Sequence, residues 1–143
     1  MKSNNYVKIE FPAKSSNEAF ARASVAAFAA QLDPTIDELG DIKTAVSEAV
    51  TNAVVHAYPD NMGSVYIKLR VLDEDILEIC VKDKGKGIED IKKAMEPLFT
   101  TGGEDRSGMG FTIMDSFMDK MKVSSRPGKG TLVTMRRRIR SRK

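Results

Sequence analysis

Two runs of this chain, SVYIKLRVL at 64 to 72 and ILEICVKD at 76 to 83, are strand-like, the second an apolar run, and Asp73-Glu74-Asp75 alone separates them. Alternation with a period of two marks a half-buried strand, and so short a joint makes the pair a hairpin. YVKIEF at 6 to 11 alternates with that period, and two more strands are expected near 121 to 125 and 131 to 139, split by RPGKG. Two helices fit between the first strand and the hairpin. Ser15 with Glu18 offers a capping box for the first, whose apolar stripe is Ala21, Val25, Phe28 and Leu32. Asp33-Pro34 offers a cap and a first-turn proline for the second, whose stripe is Leu39, Ile42, Val46, Val50, Ala53 and Ala57, ending before Pro59. A short helical segment is expected near 89 to 95, a loop rich in Gly and Thr from 97 to 108, and a helix from about Met109 to Asp119. Strands and helices do not alternate regularly. The expected class is therefore α+β: a two-layer sandwich, its mixed sheet mainly antiparallel, with helices on one face.

Length and composition narrow the function classes. The chain has 143 residues, 41% hydrophobic and 30% charged, which fits one domain spanning 1–143 with a real core. No apolar run reaches the roughly 18 residues that a membrane span needs. The stretch up to Phe11 lacks the apolar core of a signal peptide. A single cysteine, Cys80, excludes an internal disulfide and fits the cytoplasm. Its apolar neighbours make it a core residue on this reading. One Cys and one His cannot supply a structural zinc site. Residues 136 to 143, RRRIRSRK, carry six positive charges and no acid, and read as a solvated basic tail. The rest of the chain has 17 basic and 20 acidic residues, so it lacks the basic stripe of a nucleic-acid reader, and no direct contact with nucleic acid is expected.

Three features carry chemistry. Between Lys43 and Asp60 the second helix has one formal charge, Glu48, followed at steps of four by Asn52 and His56. Glu48 and Asn52 lie on the side away from the apolar stripe, about 6 Å apart along the axis. One carboxylate, one amide and Val55 suit the wall of a pocket, although a quiet polar face would look the same. The second feature is Asp83-Lys84-Gly85-Lys86-Gly87 after a strand, where glycines permit a tight turn or a close approach. Most such Gly-x-Gly pairs are ordinary loops, and neither a dinucleotide fingerprint nor a P-loop is present. The third is Arg106-Ser107-Gly108-Met109-Gly110-Phe111, a glycine-rich turn opening a helix, where backbone N–H groups and a cation can meet an anion. His56 reads as a packing or hydrogen-bonding residue. The eight methionines, among them Met114, Met118 and Met121, read as core filler.

Glu-x-x-x-Asn on a helix, Asp-x-Gly-x-Gly after a strand and Gly-x-Gly before a helix together resemble the ATP-binding boxes of the GHKL superfamily, which includes gyrase and the histidine kinases, and whose ATP-binding fold is called the Bergerat fold. Across Phe11 to Thr131, QLDPTIDELGDIKTAVSEAVTNAVVHAY, PLFTTG and the stretch from Glu104 resemble the sporulation anti-sigma-F factors, the stage II sporulation protein AB family. The chain departs from that family at Gly102-Gly103 and in its arginine-rich C-terminus. The resemblance implies a cytoplasmic, homodimeric serine kinase that also inhibits a sigma factor. It implies ATP and Mg²⁺ as cofactors, sigma factor F as partner, and a serine of an anti-anti-sigma factor as substrate. Glu48 would be the general base and Asn52 the Mg²⁺ ligand. Asp83 would accept from the adenine amino group, with Thr131 nearby, and Gly85 and Gly87 would make room for the base. Thr101, Arg106, Ser107, Gly108, Met109 and Gly110 would form a lid around the phosphates, with Arg106 on the terminal one. A sensor histidine kinase fits less well, because the residues before the Asn-bearing helix hold no histidine. A stress-response anti-sigma kinase acting on another sigma factor is the alternative.

Overall fold

The computed structural model describes residues 2–58, 63–88 and 110–140. The expected segment at 89 to 95 and the whole loop at 97 to 108 lie outside them. In chain order the described elements are β1 (Ser3–Pro12), α1 (Glu18–Ala29), α2 (Ile36–Asn52), β2 (Ser64–Leu72), β3 (Ile76–Asp83), α3 (Gly110–Phe117), β4 (Lys120–Arg126) and β5 (Gly130–Arg138). The sheet runs β1-β2-β3-β5-β4, and every neighbouring pair is antiparallel. The α+β reading, helices over one face of the sheet, is what the structure shows.

Period-two alternation decides which face is covered. Val65, Ile67 and Leu69 of β2, Leu77, Ile79 and Val81 of β3, and Val133 and Met135 of β5 are buried on one side. Against them pack Ala21, Val25 and Ala29 of α1, Ile42, Val46 and Val50 of α2, and Met114 and Met118 at α3. Each fully buried Ile, Leu or Val contributes about 1.5–3 kcal/mol of apolar transfer. Asp83 continues the buried alternation of β3 by one more step, so the strand delivers it to the helix side of the sheet.

Helix starts are set by tertiary competition as well as by local pattern. The expected Ser15–Glu18 box does not form. Ser15–Asn17 make a 3₁₀ turn and α1 begins at Glu18, with no side-chain cap. The Glu18 carboxylate instead accepts from the Thr51 hydroxyl on α2 at 2.9 Å and lies 3.8 Å from Arg22. Arg22 in turn donates to Ser47 at 3.1 Å, so it links the two helices. α2 is capped two residues later than Asp33. Thr35 accepts from the Glu38 N–H at 3.1 Å while Glu38 accepts from the Thr35 N–H at 2.9 Å. Such a cap is worth about 1 kcal/mol. Asp33 itself takes a left-handed conformation, φ 52°. The second Glu38 oxygen accepts from the Arg140 N–H at 2.7 Å, which ties the end of β5 to the start of α2.

Cys80 is a correction. It is half-buried and sits on the outer face of β3 with Glu78, not in the core. Burial pushes its thiol pKa up. Glu78, 2% exposed, receives Arg70 at 2.7 Å on one oxygen and Arg136 at 2.8 Å on the other. Burial opposes its charge, but the two guanidiniums outweigh that and hold its carboxyl below the usual range. The basic run expected as a tail from 136 therefore begins inside the sheet. Arg136, Arg137 and Arg138 belong to β5, and Arg137 pairs with Asp41 at 3.1 Å.

Candidate functional site

Glu48 and Asn52 stand one turn apart on α2, both half-buried, and face the start of α3. A Cβ on Gly110 would lie 3.3 Å from Asn52 Oδ1, 3.4 Å from Asn52 Nδ2 and 3.4 Å from Glu48 Oε2. The first residue of α3 thus closes directly over the pair, and its lack of a side chain leaves them room. Asn52 Nδ2 is buried and has no hydrogen-bond partner among the described residues. A buried polar atom left unmade costs about 1–3 kcal/mol, so native folds rarely carry one without a use. The two ends of an amide are alike in shape and exchange by a half-turn, so this site can present a donor or an oxygen ligand.

Past Asn52, α2 runs into a single π turn, Ala53–Ala57, in which His56 is half-buried. Such wide turns concentrate at functional sites. No glycine or proline in AVVHA announces it in the sequence. The turn delivers the Ala57 carbonyl to the loop after β3, where it accepts from Lys86 N–H at 2.8 Å. Tyr58 adds a second tie. Its hydroxyl accepts from Lys84 N–H at 2.7 Å and donates to the Ser64 carbonyl at 2.8 Å.

That loop holds Asp83. The carboxylate, 7% exposed, accepts through Oδ1 from Gly85 N–H at 3.0 Å and from Thr131 N–H on β5 at 3.2 Å. Burial raises its pKa, and the two N–H donors offset this only in part. Both donors bind one oxygen, so Oδ2 keeps its acceptor capacity. The glycines are required by the chain itself. A Cβ on Gly85 would overlap the Ala57 carbonyl, and Gly87 has φ 76° with its α-carbon against the Arg126 carbonyl. Ser125 completes the rim. It accepts from Ile88 N–H at 2.9 Å, donates to the Gly130 carbonyl at 2.8 Å and lies 2.8 Å from Thr131 Oγ1. An open groove lined by Asp83, Ser125, Arg126, Lys129, Gly130 and Thr131 runs beside it.

The structure brings Glu48, Asn52 and Gly110 together at one place, and Asp83, Gly85, Gly87 and Thr131 at a second. α2, its π turn and the loop after β3 join the two. Thr101, Arg106, Ser107, Gly108 and Met109 lie outside the described residues. Sequence reasoning missed Ser125 and Tyr58, since a serine in SSRPGKG and a tyrosine before a proline look like ordinary turn residues. Among the described residues no three His, Cys, Asp or Glu side chains cluster as a metal site. Mg²⁺ in nucleotide sites is held by one or two protein oxygens together with substrate phosphates. The Asn52 amide, whose Nδ2 is buried and has no partner among the described residues, fits that demand if its oxygen is turned to the metal.

A family model described as a histidine kinase-like ATPase domain matches residues 11–137, which defines the class of this fold and site. The chain is 59% identical over 140 residues to the anti-sigma F factor of Caldanaerobacter subterraneus, covering 97% of each chain. It is 58% identical over 144 residues to that of Thermoanaerobacter pseudethanolicus, covering 100% of each, and 53% identical over 136 residues to that of Clostridium acetobutylicum, covering 94% of each. The chain belongs to the anti-sigma F factor family. Two solved structures share its fold. The RsbU and RsbW domains of a Mycobacterium tuberculosis protein superpose with a TM-score of 0.70 at 18% identity, over 95% of this chain and 33% of that one. A mycobacterial sensor histidine kinase superposes with 0.61 at 17% identity, over 93% and 99%. No helix among the described residues is long and apolar enough to cross a membrane.

Proposed function

We propose that this chain is a cytoplasmic ATP-dependent protein serine kinase that also binds and inhibits sigma factor F. The single observation carrying the reading is the buried Asn52 Nδ2, without a hydrogen-bond partner among the described residues, beside Glu48 and beneath Gly110. Asp83 Oδ2 accepts an N–H of the adenine amino group, while Oδ1 stays anchored to the backbone. The Asn52 amide oxygen would hold Mg²⁺, which when bound would supply positive charge against the phosphates. Glu48 takes the proton from the serine hydroxyl of an anti-anti-sigma partner as that oxygen attacks the terminal phosphorus; the bond from that phosphorus to the bridging oxygen of the β-phosphate breaks, and ADP leaves with that oxygen. The lid, Thr101 and Arg106 to Gly110, encloses the phosphates, with the Arg106 guanidinium on the terminal one. Two copies form the working homodimer.

Sigma factor F is favoured over the sigma factor of a stress response because the three relatives named above, all more than half identical, are named anti-sigma F factors. The test is a pull-down from lysate in ATP and Mg²⁺, followed by phosphate transfer to the captured partners. Recovery of sigma F and phosphoserine on a second protein is expected. Capture of a different sigma factor, or absence of phosphoserine, refutes the reading.

A further inference from the structure

The hydrogens around Thr131 can be counted. Ser125 Oγ has one hydrogen and two lone pairs. The Gly130 carbonyl, 2.8 Å away, can only accept, so it takes the Ser125 hydrogen. Ile88 N–H at 2.9 Å fills one lone pair. Only a lone pair then remains for Thr131 Oγ1 at 2.8 Å, so in that contact Thr131 is the donor. Its single hydrogen is thereby committed to Ser125, and its oxygen is left with acceptor capacity alone. Asp83 faces Thr131 across the β3–β5 ladder, takes the Thr131 N–H on Oδ1, and is an acceptor at Oδ2 as well.

We infer that Ser125 is a specificity-determining positioning residue. By holding the Thr131 hydrogen it keeps the Asp83–Thr131 edge acceptor-only, which suits a purine with a 6-amino donor and repels one with a 6-oxo acceptor. The inference rests on the ATP reading above and deepens it. A 6-oxo group placed where the 6-amino group sits would set its lone pairs against those of Asp83 Oδ2 and Thr131 Oγ1, and only the adjoining ring N–H would be left to find an acceptor. A Thr131 hydroxyl free to turn could supply a hydrogen to the 6-oxo group, and Ser125 prevents the turn.

The experiment compares ATP and ITP, which differ at purine position 6 and the adjoining ring hydrogen, by calorimetry on the full chain with Mg²⁺. The parent should prefer ATP roughly tenfold or more, as sites built around a substrate hydrogen bond do. Ser125→Ala should cut that ratio by about fivefold or more, chiefly by strengthening ITP. In a Thr131→Val background, Ser125→Ala should leave the ratio where Thr131→Val alone puts it, because no hydroxyl remains to be steered. Equal weakening of both nucleotides by Ser125→Ala means a structural role and overturns the inference. So does a Ser125 effect that persists without the Thr131 hydroxyl. A parent that binds neither nucleotide, or both alike, removes the ATP reading itself, and this inference with it.

Discussion

Gly110 presses on Asn52 so closely that a Cβ there would sit 3.3 Å from the amide oxygen. Gly110 is the first described residue of α3, and within a helix alanine is worth up to about 1 kcal/mol over glycine in propensity. Gly110→Ala should therefore leave the melting temperature of the ligand-free protein unchanged or raise it. The same methyl group crowds Glu48 and Asn52, so Mg²⁺-dependent ATP binding should fall. Differential scanning calorimetry and titration calorimetry on one preparation check both. A variant that binds ATP as the parent does would show that the crowding is relieved elsewhere.

Replacing Glu48 by Gln preserves shape and removes the base. Serine phosphorylation should drop by about 10²- to 10⁴-fold, the usual cost of losing a general base, with ATP affinity near that of the parent. Single-turnover transfer to the partner protein measures it. Transfer at the parental rate would remove Glu48 from the chemistry.

Asp83→Asn should separate stability from binding. Folding raises the Asp83 pKa, so ionising it costs folding free energy at neutral pH, and that cost vanishes as pH falls through the raised value. Asparagine carries no such cost, and its oxygen can keep the bonds from Gly85 and Thr131. The ligand-free variant should melt at or above the parent at pH 7, with the gap closing in acid. ATP binding should weaken by about 1–3 kcal/mol, because a donor now meets the adenine donor. A variant that melts well below the parent at neutral pH would contradict this account.

Glu78 has the opposite sign. Its carboxyl is held below the usual range in the fold, so its contribution is present above the ordinary carboxylate pKa and is lost as pH falls through the lowered one. Glu78→Gln should cost about 2 kcal/mol at pH 7, since both arginines lose a charged partner while staying partly solvated. The variant's stability should also depend less on pH in the acid range. ATP affinity should not move, because the triad lies on the sheet face away from the helices. Urea titrations at several pH values, with ATP calorimetry beside them, test each clause.

Strand positions were readable because period-two alternation is set by one covered face, which 64 to 70 carries plainly and 76 to 83 carries beneath a more continuous apolar run. The same rule, applied strictly, would have put Cys80 outside with Glu78; apolar neighbours in sequence masked the alternation. The S/T-x-x-E pattern occurs at Ser15 and again at Thr35, and only the second forms a cap. Glu18 is drawn away by Arg22, one turn on, and by Thr51 on α2, a contact that no local window contains. Within the site, Glu48 and Asn52 stood out because a helix face without other charges is unusual. Of the two partners that anchor Asp83, Gly85 follows in the same motif, whereas Thr131 came only with the family resemblance, since it lies 48 positions along the chain and meets Asp83 through the β3–β5 ladder.

The strand order has a consequence for synthesis. Among the described strands β5 is the last to leave the ribosome, yet it fills an interior place, between β3 and β4. Until it arrives, the β3 edge lacks its β5 partner, and Asp83 has no Thr131 to hold it. A nascent chain therefore cannot set Asp83 in its final surroundings before β5 has been translated. Copies interrupted before that point expose a strand edge that chaperones and proteases can read.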